Sequence, residues 1–260
     1  MSISVERHGP IWTVIIDRAD KKNAVDRDAA ERMYEVFAEF DQAEEARVAV
    51  LWGRGGTFCA GADLSAVARI SEGRGNRLDP DMAAPAPMGP SRMTLSKPVI
   101  AAVSGYAVAG GLELACWCDI RVVEETAVFG VYCRRYGVPL IDGGTQRLPR
   151  IIGQGRALDL ILTGRSVDAQ EALAIGLANY VVKEGRARQE AEQLAEKISE
   201  FPQLCLMSDR QALYSGLGQR LSDGMAEEFR LGLQVVRSGE SSEGARRFAD
   251  RKNKKDRPGR

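Results

Sequence analysis

Strand-like apolar runs alternating with helical segments most strongly limit the folds open to this chain. Three of the runs cover residues 48–52, 98–103 and 119–123, and a fourth, at residues 11–16, precedes a helical pattern over residues 26–40. These runs are largely apolar instead of alternating with polar residues, which is typical of parallel strands that are buried on both faces. The pattern therefore predicts an α/β fold with a parallel-rich sheet covered by helices on both sides.

The pattern changes near residue 200, which indicates two parts of the chain. We expect an α/β core over residues 1–198 and an all-helical region over residues 199–260, because every later periodic segment is helical. Val235, Val236 and Phe248 offer apolar surface that a lone helical region could not bury. The helical region is therefore expected to dock on the core or on another subunit.

Residues 71–90 interrupt the alternation of strands and helices. Four prolines (Pro80, Pro85, Pro87 and Pro90) and several glycines occur within this stretch. Such a composition does not support regular structure, so a mobile surface loop is expected between two buried strands.

The charge and histidine content exclude several classes of protein. Lys and Arg together number 36 and so do Asp and Glu, so no overall basic field is available to hold nucleic acid. The single histidine, His8, is too few for a His-rich zinc site or a two-histidine iron site, and a Ser-His-Asp triad could use only His8. No metal site is predicted. Eight Lys and Arg over residues 246–260 indicate either a solvated terminus or a local phosphate-binding patch.

The cysteines and the apolar stretches indicate the compartment. Five cysteines without CxxC pairs favour neither a disulfide framework nor a structural zinc, and Cys116, Cys118 and Cys205 are expected to be small buried hydrophobic residues. No apolar stretch approaches the ~18 residues of a membrane span, and the N-terminus lacks an apolar signal core. We expect a reduced, soluble, cytoplasmic protein without membrane association.

Two glycine-rich turns stand where a strand gives way to a helix. They cover residues 53–64 and 104–113, and neither contains the G-x-G-x-x-G of a dinucleotide-binding turn. Small residues let successive backbone N–H groups point the same way, so two such turns could hold one developing oxyanion. The alternative is that these glycines serve only tight turns and close packing.

Glu113 falls in the first turn of the helix that follows the second glycine-rich turn. An acidic residue there can be a partner of the helix dipole. A carboxylate beside an N–H group that binds an oxyanion is also well placed to move a proton next to a carbonyl.

An ordered set of segments resembles the crotonase, or enoyl-CoA hydratase/isomerase, superfamily. The segments are residues 18–25 (RADKKNAV), 58–64 (FCAGADL), 97–113 (KPVIAAVSGYAVAGGLE), 129–130 (FG), 143–148 (GGTQRL), 162–164 (LTG) and 172–182. The resemblance implies a core built as a ββα spiral and a C-terminal helical trimerisation region. It further implies an acyl-CoA substrate and assembly as a homotrimer or dimer of trimers, with no cofactor because coenzyme A enters as the substrate thioester.

The resemblance also implies roles for individual residues. The two oxyanion-binding N–H donors fall on Ala62 and Gly110, and the first catalytic glutamate of the hydratases falls on Glu113. In the C-terminal region, Phe248 and Lys252 are placed to approach the phosphates of CoA. The positions that match the CoA adenine and pantetheine path are Lys22, Ala24, Ala60, Asp63 and Leu64.

The chain departs from the family pattern at one catalytic position. Hydratases carry a second glutamate twenty residues after the first, and Cys133 stands there in this chain. Cys133 is either a weak acid or inert lining, since an unperturbed thiol has a pKa of about 8.5. Asp142 is a possible substitute carboxylate, and its alternative role is that of a turn residue before two glycines.

The leading hypothesis is an enoyl-CoA hydratase that adds water to a trans-2-enoyl-CoA through an oxyanion-stabilised thioester enolate. Alternatives within the family are double-bond isomerisation, thioester hydrolysis and decarboxylation, because Glu113 lacks its usual partner. A catalytically silent acyl-CoA-binding oligomer is a different class, and an RNA-binding role for the basic tail would depend on a charge run alone.

Overall fold

The computed structural model describes residues 2–73 and 75–255, with side chains described up to residue 250. The chain forms two compact units, Met1–Ile198 and Ser199–Arg260. The nine strands in the described residues are β1 (Ile3–His8), β2 (Ile11–Ile16), β3 (Val48–Gly53), β4 (Val99–Val103), β5 (Tyr106–Val108), β6 (Ile120–Glu124), β7 (Val128–Gly130), β8 (Ser166–Asp168) and β9 (Tyr180–Val182).

The described α-helices follow the same chain order. In the first unit they are α1 (Arg27–Gln42), α2 (Leu64–Val67), α3 (Gly110–Trp117), α4 (Gly144–Ile152), α5 (Gln154–Thr163), α6 (Ala169–Ala174) and α7 (Ala187–Ser199), which ends at the boundary between the units. In the second unit they are α8 (Gln203–Gly216), α9 (Leu221–Ser238) and α10 (Glu240–Lys255). None of the described helices combines the length and the apolar character that crossing a bilayer requires.

The larger sheet of the first unit has the strand order β1-β2-β3-β4-β6-β9. The β1–β2 pair is antiparallel and every other pair is parallel. All six residues of β2 and all five of β4 are buried, which confirms that these apolar runs are covered on both faces. The fold is therefore the predicted mixed α/β architecture.

The first helix shows how sequence pattern becomes packing. Asp26 caps α1, because its side chain accepts a hydrogen bond from the N–H of Ala29 at 3.1 Å. Apolar residues at helical spacing form its buried face, and the ring of Phe37 lies edge-on to that of Trp117 at 4.9 Å. This contact joins α1 to α3, the helix that carries Glu113.

A smaller sheet places the two glycine-rich turns side by side. Its strand order is β5-β7-β8, and Cys59 pairs with Ala107 of β5 in a parallel bridge. Along the chain, β4 of the larger sheet leads into β5 of the smaller sheet and then into α3. The start of α3 is thereby set beside the turn that follows β3.

The expectation of a mobile surface loop over residues 71–90 is wrong for residues 75–76 and 86–90, which are buried. Ala86 and Met88 are buried in the core of the first unit. Arg92 donates hydrogen bonds to the carbonyls of Asp79 and Asp81, each at 2.9 Å. These bonds satisfy backbone groups that lack a sheet or helix partner, which allows an irregular segment to pack inward.

The cysteines differ from expectation at one position. Cys116 and Cys118 are buried as predicted, whereas Cys205 is exposed. Cys205 lies in the first turn of α8 beside the exposed Leu204, on a part of that helix that the chain leaves uncovered.

The second unit consists of α8, α9 and α10. The side chain of Glu240, at the start of α10, accepts hydrogen bonds from the N–H groups of Leu204 and Cys205 at 3.3 and 2.8 Å. It therefore satisfies backbone donors at the beginning of α8, which holds these two helix ends together.

Candidate active site

A cavity of about 600 Å³ opens in the first unit, and both glycine-rich turns line it. Its walls come mainly from α2, from residues 70–88, from the start of α3 and from residues 132–142. Most of its lining side chains are apolar, which suits an acyl chain. The predicted site residues that line this cavity are Lys22, Ala60, Ala62, Leu64, Gly110, Glu113, Cys133 and Asp142.

Backbone pairing brings the two turns into contact. The N–H of Cys59 donates to the carbonyl of Tyr106 at 2.9 Å, and the N–H of Val108 donates to the carbonyl of Cys59 at 3.1 Å. A Cβ atom on Gly61 would lie 2.9 Å from the backbone nitrogen of Gly110, so this approach requires glycine. Ala62 and Gly110 consequently belong to adjoining segments of one wall.

The N–H groups of Ala62 and Gly110 have no acceptor within the described part of the chain. Gly110 is the first residue of α3, where a backbone N–H has no partner inside the helix. Ala109 precedes it with a φ of 53°, a strained conformation for a residue with a side chain. Ala109, Gly110 and Glu113 all line the cavity, so the start of α3 lies on its wall.

Glu113 is almost fully buried, with 2% of its surface exposed, and hydrogen bonds hold its carboxyl group in place. Its Oε1 accepts hydrogen bonds from the N–H groups of Asp142 and Gly144 at 2.9 and 2.8 Å. Its Oε2 has no hydrogen bond to any described residue. A Cβ atom on Gly144 would approach Oε1 within 2.9 Å, so the glycine is needed for this contact. The carboxyl group therefore has one anchored oxygen and one free oxygen.

The surroundings of Glu113 favour its protonated form more than water does. Burial raises its pKa to about 7, and the negative charge of Asp142 adds to the effect. The two backbone N–H donors and Arg147 act in the opposite direction but do not cancel the rise. A carboxyl group with a pKa near neutrality can both accept and return a proton under ordinary conditions.

Asp142 is also buried beside the cavity, and it has its own anchors. Its Oδ1 accepts a hydrogen bond from the N–H of Met88 at 2.9 Å and one from the hydroxyl of Ser91. Burial raises its pKa in spite of these donors. Two carboxyl groups of raised pKa, Glu113 and Asp142, thus lie on the same cavity.

Cys133 is buried on a short 3-10 helix, Tyr132–Tyr136, and lines the cavity. Burial and then the charge of Glu113 raise the pKa of its thiol above the ordinary value. The thiol therefore stays protonated at neutral pH, and it is a weaker acid than an exposed cysteine.

The turn over residues 18–25 is tied to the first glycine-rich turn. The side-chain amide of Asn23 donates to the carbonyls of Arg54 and Thr57 at 2.8 and 2.6 Å. The N–H of Ala60 donates to the carbonyl of Lys22 at 3.0 Å. These bonds place Lys22 on the cavity wall, with its Nζ 5.5 Å from the ring centre of Tyr106.

The structure does not place Asp63 and Ala24 on the cavity wall. Asp63 caps α2 and pairs with Arg18 and Lys21, each at 3.1 Å. Burial alone would raise the pKa of Asp63, but hydrogen bonds from Ser65, Lys21 and Arg18 hold it well below its usual range. The carbonyl of Ala24 accepts a hydrogen bond from Arg18. Both residues thus help to hold the turn over residues 18–25 in place.

The two predicted C-terminal contacts lie in the second unit. Phe248 of α10 is 72% exposed. The side chain of Lys252 lies outside the described residues. No three His, Cys, Asp or Glu side chains among the described residues are grouped as ligands of a metal ion.

Residues 70–88 supply cavity residues that sequence pattern did not indicate. Asn76 and Met88 line the cavity, and the sulfur of Met88 lies 2.7 Å from the point where a Cβ atom on Gly110 would stand. A proline-rich irregular stretch has no periodicity from which inward-facing positions could be read.

The raised pKa of Glu113 predicts a pH-dependent stability. The pKa is about 7 in the folded protein and near 4.5 in the unfolded chain, so the folded state binds the proton more tightly between these values. The free energy of unfolding should therefore fall as the pH rises through this window. Glu113→Gln keeps the acceptor oxygen but cannot ionise, so it should gain roughly 2 to 3 kcal/mol over the wild type across the window.

Urea denaturation at several pH values, followed by tryptophan fluorescence, measures this difference, because Trp12, Trp52 and Trp117 all lie in the first unit. The matched control is Asp63→Asn. The pKa of Asp63 lies below the window, so the stability difference between this variant and the wild type should stay constant there. A constant difference for Glu113→Gln as well would contradict the prediction.

Comparison with known proteins identifies the family. The family model described as enoyl-CoA hydratase/isomerase matches residues 6–256. An enoyl-CoA hydratase of Mycobacterium tuberculosis is 33% identical over 255 residues, which cover 95% of this chain and 93% of that protein. A carnitinyl-CoA dehydratase of Citrobacter koseri is 33% identical over 262 residues, 97% of each chain.

Solved structures agree with the sequence relatives. The crystal structure of an enoyl-CoA hydratase from Bacillus anthracis superimposes with a TM-score of 0.87 at 30% identity, over 96% of this chain and 97% of that one. An enoyl-CoA hydratase structure from Mycobacterium tuberculosis gives a TM-score of 0.86 at 34% identity, over 96% of each chain. The chain therefore belongs to the enoyl-CoA hydratase/isomerase family of the crotonase superfamily, as the ordered motifs predicted.

Proposed function

We propose that this protein is an enoyl-CoA hydratase that adds water reversibly to a trans-2-enoyl-CoA. One observation carries the proposal: Glu113, with one carboxyl oxygen anchored, lines the same cavity as Ala62 and Gly110, whose N–H groups have no acceptor among the described residues. Hydratases among the relatives support the same reaction class. Coenzyme A enters as part of the substrate, so the reaction needs no separate cofactor.

In the proposed reaction, the thioester oxygen of the substrate accepts hydrogen bonds from Ala62 and Gly110. The Glu113 carboxylate removes a proton from water, and the resulting hydroxide adds to the β-carbon. The electron pair of the double bond moves to the thioester oxygen, where the two N–H groups stabilise the enolate. Protonated Glu113 then gives the same proton to the α-carbon, which completes the 3-hydroxyacyl-CoA.

A single carboxyl group can perform both proton transfers only if its two protonation states are close in free energy. The pKa of Glu113, about 7, meets this condition near neutral pH. Cys133 stands where the second glutamate of the family would be, and its raised thiol pKa makes it a poor proton donor. We therefore assign Cys133 to the lining of the cavity.

Asp142 has a positioning role in this proposal. Its backbone N–H holds Oε1 of Glu113 at 2.9 Å, and its charge contributes to the raised pKa of Glu113. One oxygen of its own carboxyl group accepts hydrogen bonds from the N–H of Met88 and the hydroxyl of Ser91. Asp142 thereby adjusts the proton affinity of Glu113 in the absence of a second glutamate.

The first test uses crotonyl-CoA and follows the loss of the conjugated enoyl-thioester absorbance. Glu113→Gln should lower kcat by about 10² to 10⁴, because the amide cannot accept or return a proton. Cys133→Ala should stay within about threefold of the wild type, since a protonated buried thiol contributes only packing.

Each outcome of this test supports a different role for the residue or the protein. Loss of rate in Cys133→Ala would make the thiol a proton carrier. Absence of turnover in the wild type, together with tight binding of an acyl-CoA, would replace hydration by a binding role or another enolate reaction. Glu124→Gln is the matched control, because Glu124 is a buried glutamate that does not line the cavity.

A second test examines the role of Asp142 through the pH profile of kcat. Asp142→Asn keeps a side-chain acceptor for Met88 and Ser91 but removes the charge that raises the pKa of Glu113. The acidic limb of the profile should therefore move to lower pH. An unchanged limb with a lower kcat would instead make Asp142 a participant in the chemistry.

We further propose a homotrimer or a dimer of trimers, in which the second unit supplies subunit contacts. This unit exposes apolar side chains that a soluble monomer rarely leaves uncovered; they include Leu204, Leu213, Leu221, Phe229 and Phe248. A second copy of the same chain is the partner that closes such a surface by rotational symmetry.

One chain has a mass of 28.3 kDa, so light scattering should give about 85 kDa for a trimer and about twice that for a dimer of trimers. Phe229→Asp should shift the population toward smaller species, because Phe229 is 71% exposed in the single chain. Ser222→Asp on the same helix adds the same charge at an exposed polar position and should leave the mass unchanged. A monomeric wild type would refute the assembly.

A further inference from the structure

A second cleft of about 480 Å³ lies at one edge of the larger sheet, and its lining shares no residue with the cavity that holds Glu113. The carboxyl ends of four neighbouring parallel strands, β3, β4, β6 and β9, meet there beside the start of α7. Together they supply an indole, a hydroxyl and four charged side chains: Trp52, Ser104, Glu124, Glu184, Arg188 and Glu192. Crevices at the carboxyl ends of parallel strands are common ligand sites in α/β sheets.

Glu124, the last residue of β6, is buried in this cleft with 5% of its surface exposed. Its Oε1 accepts a hydrogen bond from the hydroxyl of Ser104 at 2.9 Å and one from the N–H of Ala187, the first residue of α7, at 3.3 Å. Its Oε2 has no hydrogen bond to any described residue. A buried carboxylate is costly unless its oxygens find donors, so Oε2 calls for a partner from outside the chain.

This oxygen remains within reach of a ligand. The buried polar side-chain atoms that are both fully enclosed and unpartnered, among the described residues, belong to Trp12, Asn76, Arg92, Gln203 and Ser208. Oε2 of Glu124 is also unpartnered but is not enclosed, so it keeps accessible surface although its residue is buried. Because Glu124 lines the cleft, a group bound in the cleft can contact this oxygen.

The charges around the cleft do not balance. Arg188 already has two acidic partners, since its Nε donates to Glu192 at 2.8 Å and its guanidinium also pairs with Glu6. Glu124 and Glu184 line the same cleft, and neither forms an ion pair with a described residue. The cleft therefore keeps two carboxylates that lack a cationic partner, and it should attract a cation.

The surroundings of Glu124 suit an ammonium group. No three acidic, His or Cys side chains among the described residues are grouped as ligands of a metal ion. An ammonium group needs only hydrogen-bond acceptors, and a bond from a charged donor to a carboxylate is among the stronger ones in proteins. The half-buried ring of Trp52 adds apolar surface against which an alkyl chain can pack.

We propose that this cleft binds an alkyldiammonium ion. One ammonium group donates a hydrogen bond to Oε2 of Glu124, the alkyl chain lies along Trp52, and the second ammonium group pairs with the exposed carboxylate of Glu184. The site goes beyond the proposed hydration and does not depend on it, because the two cavities have no lining residue in common.

Titration calorimetry with three ligands of equal chain length tests the proposal on the full chain. Diaminobutane carries two ammonium groups near neutral pH, butylamine carries one, and butanediol carries no charge. At about 0.15 M NaCl, where distant charges are screened, diaminobutane should bind saturably to one site per chain. Butylamine should bind more weakly, and butanediol should show no binding.

Three variants locate the ligand. Glu124→Gln should weaken both amines about tenfold or more, because a charged acceptor is lost. Glu184→Gln should weaken diaminobutane to the affinity of butylamine and leave butylamine unchanged. Glu125→Gln is the matched control, since Glu125 is an exposed neighbour that does not line the cleft, and both affinities should stay within about twofold of the wild type.

Failure of diaminobutane to bind the wild-type protein saturably overturns the proposal. Binding that Glu124→Gln leaves unchanged also overturns it, because the amine then lies elsewhere on the surface. If circular dichroism shows that Glu124→Gln does not fold, the exposed Glu184→Gln decides. An equal affinity of diaminobutane for this variant and the wild type would remove the second ammonium contact and with it the proposed ion.

Discussion

The two hydrogen bonds from the backbone of Asp142 and Gly144 to Oε1 of Glu113 are the interaction on which the site depends. They join α3 to the turn before α4. They also offset part of the free-energy cost of burying the Glu113 carboxyl group. With one oxygen anchored, the other is free beside the cavity. The same burial raises the pKa of Glu113 to about 7, so the groups that position the carboxyl also set its chemistry.

The proposed oxyanion-binding arrangement has a separate origin in strand pairing. Cys59 and Ala107 pair in parallel, which brings the first glycine-rich turn alongside the second. Gly61 permits the close approach to Gly110, and Ala109 precedes α3 with a positive φ. The proposed site takes one N–H group from each turn, so it requires the two turns to lie side by side.

Sequence pattern predicted the longer strands and helices of the core well, and the irregular cavity wall over residues 70–88 poorly. The apolar runs and the helical periodicity predicted the bounds of β2, β3, β4 and α1 within one or two residues, because these signals repeat within each element. Residues 70–88 have no such repeat, so the burial of Met88 and Asn76 was not foreseen. The order of short motifs, and not their periodicity, indicated Ala62, Gly110 and Glu113.

By itself, the sequence determined the α/β class, the helical C-terminal region and the family, because apolar periodicity and ordered motifs are local in the chain. It could not determine that Asp63 pairs with Arg18 away from the cavity wall, or that Oδ1 of Asn76 is unpartnered. It also left open the pKa of Glu113. These properties depend on partners brought together from distant parts of the chain, and on a burial that only the packed tertiary structure creates.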